Sequence, residues 1–161
     1  MNFKHLLTLI VFTISMPAAA HAQRNSTASA LVYSVVDGDT LVLIIAGHKV
    51  RWRMADIDCP ELDQPYGEVA HADLVKLIMG QAVNVIPRGT DRYGRTIGTV
   101  WFGRLNVNEA LVDAGDAWAY PAYDLDPAMP AFEAEARADH RGLWADPAPI
   151  PPWEWRREHR R

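Results

Sequence analysis

Cysteine is almost absent from this chain of 161 residues, and Cys59 is the only one. A single cysteine cannot form an internal disulfide, so a fold held together by disulfides is excluded. The histidines beyond the N-terminal region are scattered and show no paired zinc-ligand spacing: His48, His71, His140 and His159. The sequence also lacks a Gly-x-Ser-x-Gly motif and the glycine-rich loops that cradle phosphates.

Positive charge is scarce as well. The 16 Lys and Arg residues are outnumbered by 20 Asp and Glu residues, which gives a net charge of −4. A protein that binds nucleic acid mainly through the phosphate backbone is expected to be basic. Several arginines nevertheless fall close to the acidic motifs described below: Arg51, Arg53, Arg88, Arg92 and Arg95. These arginines are compatible with a local basic cleft on an acidic protein, whereas the net charge argues against tight, sequence-independent binding.

The apolar run near the N-terminus is too short to cross a membrane. Residues 6–14 follow a short basic start, and Ala20-His21-Ala22 offers a small-x-small cleavage site. These features predict a signal peptide over residues 1–22, with a buried N-terminal helix as the alternative. We then expect a periplasmic or secreted protein that has no membrane association after cleavage.

Five segments rich in β-branched residues predict strands at residues 31–36, 39–46, 48–56, 81–88 and 96–103. In the third strand, Val50, Trp52 and Met54 share one face. Arg53 lies on the opposite face, so a strand that buries the other three presents Arg53 to solvent or to a cleft. Three helices are predicted: around residues 70–78 before Gly80, between Asn106 and Gly115, and from Asp126 to Gly142.

Five strands with a helix between the third and fourth match the OB-fold, a Greek-key barrel whose sheet face and loops bind oligonucleotides or oligosaccharides. We therefore expect a β-rich α+β protein, with one five-stranded OB-fold domain and three helices over residues 31–144. Residues 23–30 are small and polar and predict a linker before the domain. Residues 145–161 form a tail rich in Pro, Trp and Arg, which is either a packed strap or a contact for a partner.

The residues that can carry chemistry fall in four short segments. Asp37-Gly38-Asp39-Thr40 and Asp58-Cys59-Pro60-Glu61 supply carboxylates, which suit a hard cation such as calcium. Arg53 and the segment Asp91-Arg92-Tyr93-Gly94-Arg95 supply arginines, which stay charged and can hold two phosphate oxygens. Each segment alone has a plain structural interpretation as a turn, a solvated loop or a surface arginine. Together they provide what phosphodiester cleavage needs.

In order, spacing and flanking residues, these segments closely resemble the thermonuclease family, the staphylococcal-nuclease-like enzymes. The resemblance covers residues 31–144. It implies a calcium ion held by Asp39, Asp58 and the main-chain oxygen of Cys59. The family often has threonine at the position of Cys59, a change that should matter little to a main-chain ligand.

The resemblance also implies catalytic and substrate-binding roles. Arg53 and Arg95 align with the two catalytic arginines of the family, which stabilise the transition state. Glu61 aligns with the glutamate that acts as general base or only positions the attacking water. Four residues align with positions that contact the substrate, although Pro121 alters the spacing of the last two: Arg92, Tyr93, Tyr120 and Tyr123.

The expected function is therefore an exported, calcium-dependent endonuclease of the thermonuclease type, a monomer that hydrolyses phosphodiester bonds of DNA or RNA with little sequence specificity. One alternative is a non-catalytic OB-fold module that binds nucleic acid. Arg53, Glu61 and Arg95 together argue against it, because a pure binder needs no general base. The other alternative is a metal-dependent phosphoesterase acting on a smaller substrate, which the acidic net charge keeps open.

Overall fold

The computed structural model describes residues 26–120 and 126–159, so the predicted signal peptide and Tyr123 lie outside the described residues. The strands are β1 (Ala28–Val35), β2 (Thr40–Ile45), β3 (His48–Met54), β4 (Ile57–Asp58), β5 (Ala82–Thr90), β6 (Thr96–Phe102), β7 (Leu105–Asn106) and β8 (Trp118–Ala119). The α-helices are α1 (Gly67–Ile78), α2 (Val107–Ala114), α3 (Met129–Ala138) and α4 (Pro152–Glu158). None of these described helices has the length and apolar character needed to cross a membrane.

Five of the strands close into a barrel. β1 pairs with β2 and β2 with β3, both antiparallel, and β5 joins the other edge of β1. β6 pairs antiparallel with β5 and parallel with β3, where Arg53 lies opposite Ile97 and Met54 opposite Gly98. This closed mixed barrel, with helices packed around it, confirms the predicted OB-fold and the β-rich α+β class.

The alternation along β3 decides which of its side chains enter the barrel. Trp52 and Met54 are each 1% exposed and belong to the core, whereas Arg53 on the opposite face lines a surface cavity. The Trp52 ring passes across Gly98 of β6, because a Cβ at that position would lie 2.4 Å from Trp52 Cζ2. Glycine at position 98 therefore allows β3 and β6 to pair directly beside Arg53.

Several element boundaries differ from the prediction. β1 begins at Ala28, so residues 28–30, predicted as linker, belong to the sheet. The third predicted helix is shorter than expected, because α3 ends at Ala138 and Gly142 begins a separate 3₁₀-helix with a φ of 56°. The sequence does not predict β4, β7 and β8, because strands of two residues carry no alternation pattern.

The tail contains a fourth helix that the prediction of three helices leaves out. Its prolines suggest a segment that cannot be helical, but Pro152 lies in the first turn of α4, where the missing N–H has no helical partner to lose. The Trp153 ring meets the Trp118 ring edge-on at a centroid distance of 5.6 Å. Gln64 Nε2 donates to the carbonyl of Ile150 at 2.6 Å. The tail is therefore a strap packed onto the domain.

The turn between β1 and β2 lies directly against the segment that follows β4. A Cβ added to Gly38 would lie 2.5 Å from the Cβ of Cys59. Cys59 is buried, and its Sγ donates to the carbonyl of Gly38 at 3.1 Å. This close approach brings Asp39, next to Gly38, towards Asp58, next to Cys59.

Replacing Gly38 with alanine should therefore destabilise the fold. The added methyl group would overlap the buried side chain of Cys59, and overpacking of this kind costs about 1–3 kcal/mol. Gly89→Ala is the matched control, because a Cβ at Gly89 meets no atom within 4 Å. Urea denaturation measures the free energy of unfolding of both variants. Equal values for Gly38→Ala and Gly89→Ala would contradict the close approach of the turn to Cys59.

Candidate active site

A cavity of about 570 Å³ opens where the β1–β2 turn, the end of β3, the segment after β4 and the β5–β6 hairpin meet. Every predicted site residue that the structure describes lines this cavity: Asp39, Arg53, Asp58, Cys59, Glu61, Arg92, Tyr93, Arg95 and Tyr120. These residues come from segments that are distant in sequence. Closure of the barrel, which places β3 beside β6, is what brings them together.

The β1–β2 turn is both a structural turn and a wall of the cavity. The Asp37 carboxylate accepts hydrogen bonds from the backbone N–H groups of Asp39 and Thr40, at 3.0 and 2.7 Å. The side chain of Asp39 is turned towards the segment after β4, where its Oδ2 accepts the N–H of Cys59 at 2.9 Å. Burial raises the pKa of Asp39 to about 7, against the opposing effect of Arg53.

Arg53 joins the two buried carboxylates of the cavity. Its Nη1 pairs with Asp39 Oδ2, and its Nη2 donates to Asp58 Oδ1 at 2.8 Å. The Arg53 side chain is 14% exposed and that of Asp58 only 1%. Burial opposes the positive charge on Arg53, but Asp39 and Asp58 outweigh it and raise the arginine's pKa. The guanidinium therefore stays positively charged and contacts both carboxylates at once.

The oxygen atoms around Arg53 fit a hard cation. Asp39, Asp58 and Cys59 all line the cavity, and carboxylate and main-chain oxygens are the ligands that calcium and magnesium prefer. The described residues contain no group of three or more His, Cys, Asp or Glu side chains arranged to hold a metal. A cation here would need main-chain, water or substrate oxygens in addition to the two carboxylates.

The sulfur of Cys59 does not fit a soft metal. Its thiol donates to the carbonyl of Gly38, and burial raises its pKa well above the ordinary value. A soft metal needs a thiolate, and this cysteine is held as a neutral thiol. The donor set therefore favours a hard cation.

The β5–β6 hairpin directs Arg95 towards the same cavity. Asp91 Oδ1 accepts the backbone N–H groups of Tyr93 and Arg95, at 2.8 and 2.9 Å, and Asp91 Oδ2 accepts Arg95 Nε at 2.7 Å. Arg95 Nη1 donates to Thr40 Oγ1 at 3.4 Å, which links the hairpin to the β1–β2 turn. Burial acts to raise the pKa of Asp91, but the hydrogen bonds from Arg95 and Tyr93 hold it below its ordinary value.

The rim of the cavity is aromatic and cationic. Tyr93 is 65% exposed, and the guanidinium groups of Arg92 and Arg95 lie 5.0 and 5.8 Å from the centroid of its ring. Tyr120 also lines the cavity, and its backbone N–H donates to the carbonyl of Asp56 at 2.8 Å. These residues form a surface that a nucleotide chain can contact.

Arg156 of α4 also lines the cavity, although no motif in the sequence indicates it. It donates to Glu61 Oε1 at 2.7 Å, to Asp58 Oδ2 at 2.7 Å and to Asp58 Oδ1 at 3.2 Å. Burial opposes its charge, but Asp58 and Glu61 raise its pKa. The only sequence signal is the pair Arg156-Arg157 in the tail, which points to no particular partner.

Comparisons with known proteins agree with this arrangement. The family model described as Staphylococcal nuclease homologue matches residues 51–146. Protein ParB of Escherichia coli is 40% identical, over 93% of this chain and 88% of its own length. A protein named uncharacterized endonuclease from Escherichia coli O157:H7 is 39% identical, over 93% of this chain and 95% of its own. A micrococcal nuclease of Shigella flexneri is 38% identical, over 92% and 88%. The chain therefore belongs to the staphylococcal nuclease family.

Proposed function

We propose that this protein is an exported, calcium-dependent nuclease that hydrolyses phosphodiester bonds of DNA or RNA with little sequence specificity. Membership of the family supports nuclease activity and a nucleic-acid substrate. The observation that carries the proposal is the convergence of two buried carboxylates, two anchored arginines and Glu61 on one cavity. Export to the periplasm or the medium rests on the signal peptide predicted at residues 1–22.

Phosphodiester hydrolysis adds negative charge to a phosphorus centre that is already anionic, so the site must supply positive charge there. A calcium ion at Asp39 and Asp58 would neutralise charge on the phosphate and polarise it as a Lewis acid. Arg53 is fixed by these carboxylates and Arg95 by Asp91. Because both guanidinium groups are oriented before substrate binds, they can stabilise the pentacoordinate transition state without reorganisation.

The reaction also needs a group that acts on the attacking water, and Glu61 would be that group. Its side chain is 34% exposed and forms an ion pair with Arg156. The carboxylate is therefore fixed in place and open to water at the same time. As general base it would take a proton from the water that attacks phosphorus; in the lesser role it would only orient that water.

Two other functions are separated from this one by experiment. A module that only binds nucleic acid would not need Glu61, Arg53 and Arg95 to line one cavity. A phosphoesterase for smaller substrates would use the same groups, and the net charge of −4 is compatible with it. Plasmid, single-stranded DNA, RNA and a small aromatic phosphodiester are the substrates to compare. Cleavage of the small ester alone would favour the phosphoesterase, and binding without cleavage would favour the module.

Removal of the metal should abolish cleavage of nucleic acid. The oxygen donors at Asp39 and Asp58 suit calcium, so chelation with EDTA should stop plasmid cleavage and added calcium should restore it. Zinc serves as the control cation, since it prefers nitrogen and sulfur ligands. Restoration by zinc but not by calcium would contradict the assignment of the cation. Undiminished cleavage in EDTA would show that the activity needs no metal.

Glu61→Gln tests the general base. The substitution keeps the shape of the side chain and removes its basic carboxylate, so the single-turnover rate should fall by roughly a hundred- to ten-thousandfold. Affinity for nucleic acid, measured separately by fluorescence anisotropy, should change little or improve, because a negative charge near the phosphate is lost. Glu68→Gln, at an exposed position of α1, is the matched control. If the Glu61→Gln variant cleaved at nearly the wild-type single-turnover rate, Glu61 would not be the general base.

A further inference from the structure

Arg156 reaches the cavity from α4, far along the chain from every motif that the resemblance covers. Its guanidinium lies against both Asp58 and Glu61, at 2.7 Å from each. The three carboxylates of the cavity centre, Asp39 included, thus face two guanidinium groups, those of Arg53 and Arg156. By formal charge, this cluster of five side chains carries one net negative charge.

Both oxygens of Asp58 are already engaged. Oδ1 accepts Arg53 Nη2 at 2.8 Å and Arg156 Nη1 at 3.2 Å, and Oδ2 accepts Arg156 Nη2 at 2.7 Å. The Asp58 side chain is only 1% exposed. Three of the about four acceptor positions of this carboxylate are therefore taken, and a cation that binds Asp58 directly competes with the guanidinium groups for it.

Arg156 is the group that can move. Arg53 belongs to a strand paired on both edges, is 14% exposed and also holds Asp39. The Arg156 side chain is 41% exposed and extends from a helix of only seven residues. Other contacts of α4 hold the helix itself: Trp153 packs on Trp118, and Trp155 Nε1 donates to Asp63 at 3.3 Å. The arginine side chain can thus leave Asp58 while α4 stays docked.

We propose that Arg156 is a further phosphate-binding residue of the active site, which gives up Asp58 when a divalent cation binds there and then holds the substrate phosphate. This inference rests on the proposed function. The cation replaces the guanidinium as the counter-charge of Asp58, and the freed edge of Arg156 remains in the cavity with Arg53 and Arg95. A planar guanidinium can hold two phosphate oxygens at once, so a phosphodiester is the anion that fits.

The first measurement is calcium affinity by titration calorimetry without nucleic acid. Arg156→Gln removes the competitor of the cation, so calcium should bind about tenfold more tightly than to the wild type. Arg156→Lys keeps the charge but loses the forked grip on Asp58, so its affinity should lie between the two. Arg157→Gln is the matched control: it removes the same charge from the next position of α4, where the side chain is exposed. Its calcium affinity should stay within about twofold of the wild type.

The second measurement is the KM for a short single-stranded oligonucleotide at saturating calcium. Loss of a two-point phosphate contact should raise the KM of Arg156→Gln by about tenfold, with a smaller rise for Arg156→Lys and none for Arg157→Gln. Tighter calcium binding combined with weaker substrate binding is the distinguishing result. If Arg156 merely supported the fold, its replacement would weaken both calcium binding and substrate binding. Urea denaturation shows separately whether each variant is folded.

Three results would overturn the inference. If the Arg156→Gln variant behaved like the Arg157→Gln variant in both measurements, Arg156 would neither compete with the cation nor contact the substrate. Tighter calcium binding with an unchanged KM would leave Arg156 as a competitor only and remove its phosphate role. A wild-type protein that binds no calcium and cleaves no nucleic acid would contradict the proposed function itself, whereas the first two results leave that function intact.

Discussion

Asp39 and Asp58 are buried on either side of the Arg53 guanidinium, and the rest of the site is arranged around this contact. Two carboxylates can leave water only where opposite charge and hydrogen bonds compensate them, and loss of one partner from a buried pair costs about 3–5 kcal/mol. Arg53 can serve both because β3 is paired with β2 on one edge and with β6 on the other, which fixes its backbone. The close approach at Gly38 then brings the two acidic segments within its reach.

The same contact explains how an acidic protein can offer a site for an anionic substrate. The guanidinium groups of Arg53, Arg95 and Arg156 line the same cavity as an excess of carboxylates, so the site is not a basic cleft before a cation binds. In the proposed reaction, part of the negative charge of the site is taken up by a cation, and guanidinium groups are left to face the phosphate. Arg156, which pairs with Asp58 before a cation binds, would thus become a group that holds the phosphate.

The sequence predicts those parts of the site that depend on residues close together in the chain. Alternation in β3 predicts that Arg53 faces away from the core, and the acidic turn at Asp37 predicts the turn that the structure shows. The contact between Arg156 and Asp58 has no such signal, because 98 residues separate them. Packing of tryptophans positions α4 against the domain. Its prolines hide the helix from a prediction based on sequence. Tertiary contacts of this kind follow from the assembled fold rather than from a pattern along the chain.

The position of the cation tests the central claim most directly, namely that Asp39 and Asp58 together bind a hard metal ion. Crystals of the protein soaked in calcium would locate it through its anomalous scattering. We expect one peak within about 2.3–2.6 Å of a carboxylate oxygen of each aspartate. A peak elsewhere in the molecule, or no peak at a calcium concentration that supports cleavage, would contradict the assignment of these two carboxylates as the metal ligands.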